Sequence, residues 1–239
     1  LYAAQSDRKG LWLSTDHGDT WASHTTPVVD GFVDALFGAP DDPTVYLRQG
    51  GVLFRTNNDP AAWIKVLSPT PTPPVTVALT VDFAAVGPRG RLYAVGRAAG
   101  GYLVRASVDR GTTWQTEGWP AEAGDAAPVA LGAGEIRPTL GGVWLGLDDG
   151  RVFESQDGAR TWTLLADLPM PATRIVVDSA TFEVWVGSGG LGLFRVKPAP
   201  LVHTGAVAVD VLAVEATQTV SGPVALLLGE VLPKRRDPF

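Results

Sequence analysis

The feature that most restricts the fold is an eight-residue pattern, Ser-x-Asp-x-x-x-Thr-Trp, that recurs along the chain. It reads Ser14-Thr-Asp16-His-Gly18-Asp-Thr20-Trp21, then Ser107-Val-Asp109-Arg-Gly111-Thr-Thr113-Trp114, then Ser155-Gln-Asp157-Gly158-Ala-Arg-Thr161-Trp162. A degenerate copy of the same length runs Thr56-Asn-Asn58-Asp-Pro60-Ala-Ala62-Trp63. The tryptophans are separated by 42, 51 and 48 residues, the period of a four-stranded propeller blade. Each copy is preceded by an aromatic residue in a β-branched or aliphatic run, at Tyr2, Tyr46, Tyr93 and Trp144; Trp185 marks a fifth unit that lacks the terminal motif. Ahead of these lie further apolar runs at 33–37, 75–81, 128–131 and 174–177, and the residues after each Trp supply a fourth strand.

The predicted fold is therefore all-β, a β-propeller of four-stranded antiparallel blades with five recognisable repeats plus a partial sixth. One domain fills 1–239, with repeats at about 1–26, 31–67, 75–118, 128–167, 173–203 and, in part, 206–230. The runs at 207–214 and 223–228 read as the first two strands of that last unit.

The motif has a physical logic. An Asp just past a strand end accepts hydrogen bonds from turn N–H groups, Ser and Thr hydroxyls tie the two arms, and Gly18 and Gly111 supply a positive φ. The Trp opens the return strand and lays a large apolar face over the hairpin. In the third copy the glycine moves one place, to Gly158, so that turn is expected to differ in conformation.

Composition agrees. Gly 28 and Pro 19 punctuate the 239 residues too often for a helical bundle, while 45% hydrophobic and 18% charged residues exclude disorder. The net charge of −6 offers no field to hold a polyanion, so nucleic acid is not an expected partner. With no cysteine and three histidines, His17, His24 and His203, neither a metal site nor thiol chemistry is expected, and no cofactor either. The apolar stretch at 223–232 contains Glu230 and falls far short of the roughly 20 residues that span a bilayer, so no transmembrane segment is read.

The pattern resembles the Asp-box, or BNR repeat, of sialidases, sortilin-type receptors, xyloglucanase-type glycoside hydrolases and photosystem-assembly propellers. The resemblance implies a propeller in which the box lies on a hairpin turn away from the binding face. Trp21, Trp63, Trp114 and Trp162 are accordingly expected to be structural, with Ser14, Asp16, Gly18, Thr20, Thr56, Asn58, Ser107, Asp109, Gly111, Thr113, Ser155, Asp157 and Thr161.

If the boxes mark the turns between third and fourth strands, the turns between second and third strands emerge on the opposite face, where loops carry function. Three of these turns present an arginine, Arg8, Arg48 and Arg97, and the fourth presents Asp148 and Asp149. Arginine forks bind carboxylate or phosphate bidentately, so these positions, with Asp7 and Trp119, form a candidate anion or partner patch. No catalytic residue is assigned. The sialidase motif preceding the first box is absent, and Asp148 and Asp149 are adjacent on one turn, unable to flank a sugar together. The expected function is a non-enzymatic binding or scaffold propeller, an extracytoplasmic subunit or assembly factor of a larger membrane-associated complex with a protein partner. The alternative is a carbohydrate-active enzyme of glycoside hydrolase or sialidase type, with carbohydrate as its ligand.

Overall fold

The computed structural model describes residues 1–5, 10–24, 26–27, 32–38, 42–57, 62–70, 78–137, 140–178, 181, 183–190, 192–196 and 211–212. These form five antiparallel sheets, each a meander in chain order. The first holds β1 (Tyr2–Gln5), β2 (Gly10–Leu13) and β3 (Ala22–His24). The second holds β4 (Ala35–Gly38), β5 (Val45–Gln49), β6 (Val52–Thr56) and β7 (Ile64–Leu67). The third holds β8 (Thr80–Val86), β9 (Leu92–Ala98), β10 (Gly101–Ser107) and β11 (Gln115–Glu117). The fourth holds β12 (Pro128–Arg137), β13 (Leu140–Leu147), β14 (Arg151–Ser155) and β15 (Thr163–Asp167). The fifth holds β16 (Ala172–Asp178), β17 (Glu183–Ser188), β18 (Gly192–Val196) and β19 (Val211–Leu212).

Successive sheets stack face to face as the blades of a β-propeller, β12 packing against β8 on one side and β16 on the other. The second strands β9 and β13 are buried on both faces over 92–96 and 142–147 and therefore read as continuous apolar runs. In β13, Val143, Leu145 and Leu147 point at the third sheet, where they join Tyr93 and Val95. Trp144, alternating with them, joins Val184, Val186 and Ile175 of the fifth. Tyr46, Leu53 and Val66 pack similarly on Leu79, Val81 and Leu92. Each fully buried Leu or Val contributes about 1.5–3 kcal/mol. Close approach is paid for in side-chain size on β12: a Cβ on Gly132 would lie 2.5 Å from Ile175 Cγ2, and one on Gly134 2.4 Å from Val177 Cγ1.

The box turns close by local hydrogen bonds. Ser107 Oγ donates to Asp109 Oδ1 at 2.7 Å and accepts from Gly111 N at 2.7 Å, while Thr113 N donates to Asp109 Oδ1 at 2.8 Å. The Asp16 and Asp157 turns repeat this set, with Gly18 N and Ala159 N donating to Ser14 Oγ and Ser155 Oγ. Thr56 is buried at the end of β6 and Trp63 meets Tyr2 edge-on at 6.3 Å, whereas Asn58 lies outside the described residues.

Three expectations need correction. The Asp157 turn does not differ from the others: the two central residues have positive φ in all three, at His17 60° and Gly18 104°, Arg110 59° and Gly111 84°, Gly158 83° and Ala159 75°. One glycine at either place serves the same turn. The inner strand of the third sheet is Thr80–Val86, later than the apolar run at 75–81, because Asp82 sits at a register shift in the β8–β9 ladder and does not end the strand. Finally, Val211–Leu212 pairs with Val196 and Arg195 of β18 as the outer strand of the fifth sheet, not as the first strand of another repeat. The remainder of 206–230 lies outside the described residues.

Candidate functional site

The inner strands β4, β8, β12 and β16 surround a cavity of about 400 Å³. Its walls are largely apolar, with Leu36, Phe83, Val86, Leu131 and Val176 among them, and two arginines, Arg48 and Arg174, stand in the lining. Val176 is 50% exposed, an aliphatic side chain that the packed blades leave to the channel.

Arg48 reaches from β5 across to the next blade. Its guanidinium donates to the Asp82 carbonyl oxygen and, at 3.4 Å, to that of Val81, and it lies 5.5 Å from the Phe83 ring centroid. Burial pushes the Asp82 carboxyl up, and Arg48 and Arg97 oppose the shift. These three groups thus share one electrostatic neighbourhood at the ends of the second and third sheets. Asp34 rims the same end, accepting from Gly50 N at 2.9 Å. Arg174 forms no hydrogen bond or ion pair with the described residues and carries the free charge of the channel.

Arg97 and the other expected patch residues described make local bonds instead of an open patch. Arg97 donates to the Tyr102 hydroxyl at 2.7 Å and lies 4.6 Å over its ring, and Tyr102 stacks on Trp119 at 5.5 Å. Trp119 is half-buried in that ladder, its Nε1 donating to the Gly124 carbonyl at 3.3 Å. Asp148 Oδ1 accepts from Ala127 N at 2.9 Å. Asp149 accepts from Arg151 Nε at 2.8 Å, and that bond holds its carboxyl below the ordinary range despite some burial. Arg151 also donates to the Ala123 carbonyl at 3.0 Å, so the turn is clamped to the preceding loop. Asp7 and Arg8 lie outside the described residues.

Two groups escaped sequence reasoning. Arg174 had a signal, a cation inside an otherwise apolar inner-strand run. Glu154 had none: it lies in β14, 5% exposed, and burial pushes its carboxyl up. It belongs to the packing between sheets and not to the channel. Among the described residues no group of three or more His, Cys, Asp or Glu side chains is placed to hold a metal ion. No described helix is long and apolar enough to cross a membrane.

These stacked four-stranded meanders, with a channel along their inner strands, define a β-propeller. Over 78% of its length the chain superposes on YCF48 from Cyanidioschyzon merolae, with a TM-score of 0.54 at 14% identity. Over the same share it superposes on YCF48 bound to D1 peptide, with a TM-score of 0.50 at 18% identity. The matched regions are 60% and 57% of those chains, so this chain spans less than two thirds of their length. At such identity the likeness is one of fold. The sequence matches no protein-family model and no curated protein.

Proposed function

We propose that this chain is a non-enzymatic binding propeller that takes a segment of a partner protein at the mouth of its inner-strand channel. It would act as a subunit or assembly factor of a larger membrane-associated complex outside the cytoplasm, a setting that rests on the resemblance of its repeats alone. The observation that carries the reading is the channel: apolar walls with exposed Val176 and two arginines, one fixed and one free. Apolar side chains of an extended segment suit such walls, and an acidic group suits Arg174. The fold likeness to YCF48, of which one structure holds a D1 peptide, supports a peptide as occupant.

The test places a photo-crosslinking residue at Val176, in the channel, and in a second protein at Thr112, on an exposed box turn. The expected result is one discrete protein adduct from Val176, lost on Arg174→Glu, and none from Thr112. An adduct from Thr112 alone, or from neither, overturns the reading. So does hydrolysis of aryl glycosides by the pure protein.

A further inference from the structure

The box turns of the third and fourth sheets each sit at the seam between their own sheet and the one before, and the residue at the fourth position decides what fills that seam. In the third sheet this residue is Arg110. Its Nε lies 2.7 Å from Asp42 Oδ2 on the β4–β5 connection, and Arg55 of β6 donates to the Arg110 carbonyl at 2.7 Å. Tyr46 lies beneath, within the electrostatic reach of all three. In the fourth sheet the same position is Gly158. No side chain projects from it, and a cleft of about 330 Å³ remains above Tyr93, the counterpart of Tyr46.

A Cβ on Gly158 would stand 3.8 Å from the Tyr93 hydroxyl, so the missing side chain opens the space directly over that group. Both tyrosine hydroxyls are buried and make no hydrogen bond of ordinary geometry; above Tyr46 the space is taken by Arg110, while beside Tyr93 a cleft remains.

The lining says what fits that cleft. Asp157 is committed to Ser155 and Thr161 of its own turn, and Glu117 faces Arg160 at 3.8 Å. Arg91 has no ion pair among the described residues and stands beside the Tyr93 hydroxyl. The uncommitted groups are therefore the Arg91 guanidinium, a pure donor, and the amides of Gln115 and Gln156, which donate and accept. A carboxylate matches the guanidinium bidentately, and hydroxyls, which also donate and accept, match the amides.

We propose that the cleft between the third and fourth sheets binds a small hydroxylated carboxylate, its carboxylate on Arg91 and its hydroxyls on the glutamine amides. The volume accommodates a molecule of six-carbon sugar-acid size. This site lies on the box-turn side of the seam and is independent of the channel.

Calorimetric titration of the full chain with D-glucuronate, and with D-glucose as its neutral counterpart, tests the assignment. Glucuronate is expected to bind in the millimolar range or tighter, and glucose about tenfold more weakly, the loss of one charge-assisted contact. Gly158→Arg rebuilds the filler of the neighbouring seam on a backbone that Arg110 already adopts at φ 59°, and should abolish binding without lowering the unfolding midpoint. Arg91→Gln should weaken binding about tenfold and decides the matter if Gly158→Arg fails to fold. Arg174→Gln, in the channel, should change nothing. Equal binding of glucose and glucuronate, retention of binding by folded Gly158→Arg, or no glucuronate binding at millimolar concentration overturns the proposal.

Discussion

The box turns at Trp21 and at Trp114 and Trp162 are built alike yet do different things. Their serine, aspartate and threonine groups make the same local bonds at the same distances to within a few tenths of an ångström. The tryptophans part company. Trp114 Nε1 donates to the Val66 carbonyl at 2.8 Å, on the outer strand of the preceding sheet, as well as to the Gly111 carbonyl of its own turn at 3.1 Å, and Trp162 Nε1 donates to the Gly118 carbonyl at 2.6 Å, just past the outer strand of its own predecessor. Trp21 Nε1 turns back to the Gly18 carbonyl of its own turn at 3.0 Å, and the ring is 41% exposed. The difference shows that the motif has two separable parts. The Ser-Asp-Thr set shapes a hairpin by itself, and the indole links blades only where a preceding blade stands against it.

The strongest way to break this comparison is to remove the indoles. Trp114→Ala and Trp162→Ala each strip a half-buried ring from a seam and leave a carbonyl unpartnered, so urea unfolding should show a loss of about 2–4 kcal/mol. Trp21→Ala should cost under about 1 kcal/mol, as for an exposed side chain. Three equal losses would mean that the ring acts within its own hairpin and that the seam contributes little.

A finer cut keeps the ring and removes only the N–H. Trp162→Phe should cost about 1 kcal/mol for the lost Gly118 bond, with Trp21→Phe within a few tenths because its carbonyl partner is open to water. Comparable effects at both positions would assign the cost to ring shape and not to the bridge between sheets.

Acid titration examines the part that the turns share. The Thr20 hydroxyl, then its N–H and Ser14, hold the Asp16 carboxyl at about 2, below the ordinary 3.8. At Asp109 and Asp157 burial pushes upward, but hydrogen bonds from Thr113 and Thr161 and their neighbours outweigh it and lower both. A carboxyl depressed in the folded state adds stability above its unfolded value, and that contribution is lost as pH falls through the folded one. For Asp16 the window runs from pH 3.8 down to about 2. Stability measured across it should fall less steeply in Asp16→Asn and in Asp109→Asn, whether or not a sheet precedes the turn. A change in only one of them would tie the shift to the seam.

Much of this architecture could be read from residue order, because a repeated unit states its local chemistry several times. Tyr46, Tyr93, Trp144 and Trp185 all fall in second strands, and turns of the second-to-third type fall at Gly50–Gly51, Ala99–Gly100, 148–150 and 189–190 as expected. What remained hidden depends on pairs far apart in sequence. The Asp42–Arg110 contact crosses 68 positions, and the reach of Arg48 to Asp82 crosses 34; neither has a local pattern. β8 was misplaced because 75–81 and 80–86 are similarly apolar, and only the ladder with β9 distinguishes them. The arginines expected to face outward as a set were separated for the same reason: Arg48 found backbone carbonyls of a neighbouring blade, and Arg97 found Tyr102 on its own hairpin. The displaced glycine at Gly158 was visible, but its meaning was not a new turn shape. It removed a side chain.

That reading makes the fourth position of the box the place for the most delicate test. His17 holds φ 60° with an exposed side chain, a conformation that costs a non-glycine residue about 1 kcal/mol. His17→Gly relieves it, while the greater freedom of glycine in the unfolded chain takes back about 0.5–1 kcal/mol. The net effect should be a stabilisation of at most about 0.5 kcal/mol by thermal or urea unfolding, since nothing across a seam depends on the imidazole. Arg110→Gly relieves the same backbone angle, yet it abandons the Asp42 carboxylate, whose side chain is only 6% exposed, and empties the space over Tyr46. Its sign should therefore be opposite, a destabilisation. If both substitutions stabilise alike, Arg110 is a turn residue and nothing more, and the contrast between the filled seam and the open one loses its basis.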